Sequence, residues 1–404
     1  MINFLQKLGP GLLFAGAAIG VSHLVQSTKA GSYFGFGLLW ALLLINLIKY
    51  PFFQYGPRYA AATGENLLEG YKKLGKWALR FYALLTLATM FTIQTAVTIV
   101  TAGIASSLFG SSLSLELWAV VILGFCFLLL LLGKYNFLDK MMKIIILVLS
   151  ISTLLAVGIA FNKSSGELPW TQVFPTSNLE VVFLIAFMGW MPAPLDVSIW
   201  HSLWAVEKQK TTDVFNKKSA LLDFNIGYIS TIILGVCFLL LGGLVMYGSG
   251  KSFSDSGGEF SLQLIDMYTE NLGDWSFAII GVAALTTMFS TTLTTLDASP
   301  RAMNKTIELI LEKKNEKGYN AWLILLILGT VIIFYFFLSE MGSLIKIATI
   351  LSFITAPFYA IMNYLVLCSK HTPKAWQPSK TMHILSIIGI LFLVGFNIWY
   401  LSIL

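Results

Sequence analysis

The side chains of this sequence whose types point to chemistry are His23, Met188, Met191 and Asp196. An imidazole, thioethers and a carboxylate make a borderline-to-soft donor set. Such a set suits a late first-row divalent ion better than magnesium or calcium. These residues fall at two interruptions of apolar sequence. Gly20-Val21-Ser22-His23 breaks the run from Gly9 to Gly31, and Met191-Pro192-Ala193-Pro194 breaks the run from Val181 to Val206, with Asp196 just beyond. In hydrocarbon, unwound backbone persists only where protein or a polar cavity satisfies its amides, so matched breaks in two halves of a chain predict a binding site near the membrane midplane. Free carbonyls around Gly20 and Val21 and the Ser22 hydroxyl would complete its lining.

The same residues also fit another cargo. A dication in a low-dielectric site wants fixed negative charge, and Asp196 alone offers it. The exposed amides of a half-helix, with a His that can be protonated, suit a small anion or zwitterion. Structural roles stand beside both: Asp196 can cap the second half-helix, and His23, Met188 and Met191 can be core residues. A third element is the hydroxyl-rich run from Thr286 to Thr295. There Ser290, Thr291, Thr294 or Thr295, with carbonyls near Gly20, would form an oxygen cage for a coupling sodium ion, unless they bond back to their own helix. Of the remaining polar residues within spans, Lys49 is expected to snorkel to the headgroups and Lys346 to do so or pair with Glu340. Gln94 is a candidate cavity contact, and His201 is expected at the interface.

Positioning these groups requires a polytopic membrane protein. The 404 residues are 57% hydrophobic and 11% charged, with a mean hydropathy of +0.79. At roughly 20 apolar residues per crossing, the sequence predicts eleven spans, near 9–31, 35–56, 79–106, 115–133, 142–161, 181–205, 222–247, 275–297, 321–338, 342–368 and 382–403. The net charge of +6 reports orientation. Lys72, Lys73, Lys76, Arg80, Lys208, Lys210, Arg301, Lys305, Lys370 and Lys374 all fall on one side of the alternating topology, which places the N-terminus in the cytoplasm and the C-terminus outside. Nucleic acid is thereby a poor partner. Cys126, Cys237 and Cys368 lack any pairing spacing and read as packing residues. No removable signal peptide is expected.

Spans 1–5 and 6–10 form the expected halves, about 9–161 and 181–368, with an extra helix at about 382–403. Each half has an odd number of spans, so the second must be inserted upside down relative to the first. The expected fold is an all-α membrane protein of about eleven helices, a five-plus-five inverted repeat with broken helices 1 and 6, in one transmembrane domain.

Gly9-Pro10-Gly11 before an interrupted helix, Gly35-Phe36-Gly37-Leu38-Leu39-Trp40, Met191-Pro192 and Ser290-Thr291-Thr292-Leu293-Thr294 together resemble the Nramp divalent-metal transporters. The resemblance covers spans 1 to 10 in order. It implies the inverted-repeat fold and a metal held at both breaks, by His23, Met191 and Asp196 here. In that family the first break reads Asp-Pro-Gly-Asn, and this chain has Gly20-Val21-Ser22-His23 there. At the second break Ala193-Pro194 replaces His-Asn, and Met188 takes the place of an Ala whose carbonyl binds metal. The stretch 81–106 has no Asp or Glu for proton coupling.

The expected function is secondary active transport of a divalent metal ion by alternating access across the inner membrane, driven by a proton or sodium gradient. The alternative is ion-coupled transport of a small anion or zwitterion. No ATP-binding loop, no nucleophile–base pair and no cofactor motif is present, so an enzyme is not expected. Half-broken helices in both repeats suit a gated central site better than a channel.

Overall fold

The computed structural model describes residues 9–110, 113–132, 135–163, 170–211, 217–249, 253–254, 257–337 and 341–403. The described residues are helical, without strands. The first span is α1 (Pro10–Ala18), a π-helical stretch (Ser22–Ser27) and α2 (Thr28–Phe34). Then come α3 (Leu39–Thr63), α4 (Leu67–Leu74), α5 (Lys76–Phe109), α6 (Leu115–Leu132) and α7 (Tyr135–Lys163). The second half holds α8 (Asn178–Trp190), α9 (Val197–Thr211), α10 (Lys217–Val245), α11 (Gly257–Leu272), α12 (Ser276–Leu311), α13 (Gly318–Phe337) and α14 (Met341–Cys368), and α15 (Lys380–Ile403) closes the chain.

Among the described residues, seven helices are singly long and apolar enough to cross a membrane, and the pair Pro10–Ala18 and Ser22–Phe34, bent by 47°, makes an eighth. The other expected spans, α3, α8 with α9, and α12, are helical too. They are shorter or less apolar because they carry the polar groups of the interior. Leu43, Leu84, Leu128, Leu147, Ile332 and Leu391 are exposed, as a lipid-facing surface requires.

Local chemistry sets the helix ends. Pro10 occupies the first turn of α1, where a missing N–H costs nothing. Asn66 with Glu69, and Ser177 with Glu180, form reciprocal capping boxes at the starts of α4 and α8. Gly64 ends α3 at φ 73°, a conformation a Cβ would oppose.

The two third spans, α5 and α12, pack along each other, while α10 packs on both pieces of the first span and α14 on α8. The α10 contact is very close. A Cβ on Gly31 would lie 2.0 Å from the Leu239 carbonyl oxygen, and one on Gly242 would lie 2.1 Å from that of Thr28. Short amphipathic connectors, α4 between spans 2 and 3 and α11 between spans 7 and 8, stand on opposite faces at equivalent places in the two halves. Ion pairs of Lys72 and Lys76 with Glu312, Lys305 with Glu69, and Lys73 with Glu65 tie the helix ends on the Gly9 side. Cys126 and Cys237 are free and buried, and Cys368 is free and half-buried.

Candidate functional site

At the first break the helix ends at Ile19 and restarts at once. The Gly20 carbonyl accepts the amides of His23 at 3.1 Å and Leu24 at 2.9 Å. The Gly20 carbonyl, expected to be free, is therefore occupied. The Gly16 and Ile19 carbonyls face the Thr291 hydroxyl on α12, which lies 3.0 and 3.2 Å from them. The first broken helix and the hydroxyl-rich span do run side by side, and a Cβ on Gly20 would meet Thr291 Oγ1 at 2.6 Å. Val21 is buried at the start of the π stretch.

His23 is fully buried and points at α10. Its Nε2 lies 2.9 Å from the Thr231 carbonyl oxygen and its Nδ1 3.1 Å from that of Ala18. Nδ1 also lies 2.6 Å from the Ser22 hydroxyl, so both ring nitrogens have partners within the protein and the tautomer decides which of them donates. Ser22 Oγ also lies 2.5 Å from the Ala18 carbonyl. A metal bound by either ring nitrogen would displace the partners that nitrogen now has.

At the second break α8 stops at Trp190, the Met191–Pro192 peptide is cis, and α9 begins at Val197. The Met191 sulfur accepts from the Ser27 hydroxyl at 3.7 Å, which joins the two breaks directly. It also faces α10: a Cβ on Gly235 would lie 3.6 Å from both the Met191 sulfur and His23 Cδ2. One soft sulfur and one imidazole thus converge on the same glycine. Met188 is buried, and its carbonyl is bonded to Lys49.

Asp196 is buried elsewhere around the break. Its electrostatic neighbours are Lys49, Tyr71, Tyr82 and Tyr359, on α3, α4, α5 and α14, and its Oδ1 has no hydrogen-bond partner. Among the described residues, no three His, Cys, Asp or Glu side chains come together to hold a metal.

Of the four hydroxyls expected in the coupling cage, only Thr291 reaches the first break. Ser290 bonds the Thr287 carbonyl and Thr294 those of Ser290 and Thr291, both within their own helix. Thr295 donates to Gln94 Oε1 at 2.8 Å, so Gln94 ties α5 to α12 and is turned away from open space.

Two sequence expectations fail for one reason, that the helices concerned lie inside the bundle. Lys49 does not snorkel: it is 0% exposed, and its ammonium donates to four carbonyls of the second break. His201 is not interfacial, because α9 packs on α1, and its ring stacks on Phe14 with centroids 5.5 Å apart. Glu340, the suggested partner of Lys346, lies outside the described residues. The sequence does carry a signal for Lys49: it is a charge within an apolar span with no carboxylate one turn away.

A cavity of about 20 Å³ lies between the breaks, bounded by Ala18, Ser22, Trp190, Pro194, Thr291 and Thr295. That is room for one water or small ion. On the side opposite Gly9 a vestibule of about 670 Å³ descends between α2, α8 and α14 to Val25 and Ala186. Gln26, Lys29, Glu180 and Lys346 give it its polar walls.

A membrane bundle with two interrupted helices facing each other across a small central cavity is the architecture of a secondary transporter. The sequence matches the natural resistance-associated macrophage protein-like family over residues 11–402, and the chain belongs to that Nramp family of membrane transporters. It is 35% identical, over 98% of its own length and 92% of the other's, to the uncharacterized protein PM0681 of Pasteurella multocida. It is 24% identical over 60% of its length to the divalent metal cation transporter MntH of Latilactobacillus sakei, covering 55% of that protein. In fold it is similar to the Eremococcus coleocola manganese transporter, at a TM-score of 0.75 and 13% identity, covering 98% of this chain and 85% of that one. It is also similar to MhsT in complex with L-phenylalanine, at a TM-score of 0.65 and 13% identity, covering 98% of both chains.

Proposed function

We propose that this protein carries a divalent metal ion across the inner membrane by alternating access, with its N-terminus in the cytoplasm and its C-terminus outside. The observation that carries the reading is the convergence of the His23 imidazole and the Met191 thioether, one from each break, on Gly235. An imidazole ring and a soft sulfur close to each other at two helix breaks suit manganese- or cadmium-like ions better than magnesium. Family membership, the name of the MntH relative and the fold of the manganese transporter support the same cargo. With this orientation the 670 Å³ vestibule opens outward, the side from which an importer loads. Asp196 supplies the nearest formal negative charge to the second break, and Met188, Ser22, Gly20 and Val21 line the surroundings.

The test is calorimetric titration of purified protein with manganese, cadmium and magnesium, beside a Met191→Ala variant. Micromolar binding of a soft divalent ion, weakened about tenfold or more in the variant, is the expected result. Absence of heat with every ion would sink the metal reading.

A second reading, transport of a small anion or zwitterion, is favoured by the missing carboxylate at the first break. It predicts proteoliposome uptake of such solutes in place of metal. For coupling, we propose that sodium binds where Thr291 meets the Gly16 and Ile19 carbonyls, with Thr294 and Thr295 one turn on. The Thr291→Ala/Thr294→Ala double variant should lose sodium stimulation of uptake. Sodium dependence equal to the native protein's would leave a proton as the coupling ion.

A further inference from the structure

The second break already contains a cation. Lys49 of α3 reaches into the unwound stretch, where its Nζ lies 2.9 Å from the Met188 carbonyl, 2.7 Å from Gly189, 2.9 Å from Met191 and 3.2 Å from Ala193. These carbonyls are orphaned by geometry. Those at the end of α8 have no following turn to supply amides, and they form the negative end of its dipole. Three ammonium protons facing four oxygens leave little of this group unsatisfied, and Asp196 stands near as counter-charge.

The cage is wide. Its N–O distances of 2.7–3.2 Å exceed the ~2.3–2.6 Å of calcium–oxygen bonds and the ~2.0–2.1 Å of magnesium–oxygen bonds. Without Lys49 it would suit a larger singly charged ion.

We propose that Lys49 is a tethered substitute for a bound cation: its ammonium fills the carbonyl cage of the second break, holds that break unwound without any free ion, and keeps free cations off the Met188 and Met191 carbonyls. Lys49 is thus a positioning and specificity-setting residue. Cargo at Met191 is left to side-chain donors, because the backbone oxygens beside them are taken. The last consequence rests on the metal reading above, while the cage itself does not.

The experiment uses purified Lys49→Met and Lys49→Gln, the first removing both charge and donors, the second keeping two donors without charge. Melting temperature is measured in choline chloride and in ammonium or potassium chloride at equal ionic strength. Both variants are expected to melt below the native protein in choline and to recover part of the loss in ammonium or potassium, while the native protein does not respond. Variants that melt like the native protein, or that show no preference for the small cations, overturn the proposal. If neither variant can be purified, amine acetylation of the native protein read by mass spectrometry decides. Protection of Lys49 while surface lysines react supports the cage, and labelling at their rate overturns it.

Cadmium titration of the variants separates the two readings. At least tenfold tighter binding than native is expected if the cargo is a metal. Cation rescue of stability without any cadmium binding would keep the cage and discard the metal cargo.

Discussion

At the scale of single residues, the site is defined by which polar atoms are already spoken for. The His23 nitrogens lie against the Thr231 and Ala18 carbonyls, Thr291 bridges two carbonyls of the first broken helix, and Lys49 saturates the second break. What a soft cargo can reach is the Met191 sulfur, together with the His23 ring at the cost of one of its bonds; the sulfur and His23 Cδ2 each stand 3.6 Å from a Cβ on Gly235. That glycine has room for one methyl group, with the nearest atom, Leu42 Cδ1, at 3.4 Å. Gly235→Ala should therefore fold and keep its melting temperature within a few degrees, since α10 is helical there and Ala favours helix by about 1 kcal/mol over Gly. Its methyl would lie 3.6 Å from the Met191 sulfur and from His23 Cδ2, so cadmium affinity should fall about tenfold, roughly 1.4 kcal/mol. Unchanged affinity in calorimetry would place the metal elsewhere.

At the scale of elements, α1 is a short half-helix of nine residues, too short to be stable without outside partners. Its first amides are capped from another helix. Asp223 on α10 accepts from Gly9 N at 2.9 Å and from Gly11 N at 2.7 Å. A carboxylate at a helix N-terminus completes the unsatisfied donors and complements the dipole. Asp223→Ala should cost about 1–3 kcal/mol and loosen α1 specifically. Amide hydrogen exchange is the measurement: residues 12–18 should exchange faster while α5 and α12 keep their protection. Uniformly faster exchange would mean that Asp223 supports the whole bundle and is no local cap.

At the scale of the molecule, the first broken span sits against α10 through glycines at both ends. Gly11 and Gly227 approach each other's helices near one face, and Gly31 and Gly242 near the other, each with a Cβ position about 2 Å from backbone. Backbone contact of this kind is how helices associate in lipid, where hydrophobic driving force between helices is weak. Gly242→Ala places a methyl 2.1 Å from the Thr28 carbonyl oxygen, which only a backbone shift can relieve. The expected cost is about 1–3 kcal/mol or more, read as a lower melting temperature in detergent. A melting temperature equal to the native value would mean that the α2–α10 contact can slide freely.

By itself the sequence determined the membrane class, the eleven helical stretches, both breaks and the family, because each depends on local apolarity, on Pro and Gly, or on short motifs. The pairing of His23 with Met191 through Gly235 was not legible, since it joins residues far apart in the chain. Lys49 shows the limit most plainly: hydropathy sees a charge near a span's end and sends it to the headgroups, but α3 is an interior helix and the acceptors come from a break some 140 residues away. The same holds for Asp223, whose partners at Gly9 and Gly11 belong to the other half, and for His201, whose surroundings depend on α9 meeting α1. Ser290, Thr291, Thr294 and Thr295 look alike in sequence. Only the packing of α12 on α1 sends the Thr291 hydroxyl across to another helix's carbonyls while Ser290 and Thr294 bond back to their own. Local sequence decides where helices form and stop, whereas the partners of a buried polar group are fixed by which helices pack face to face.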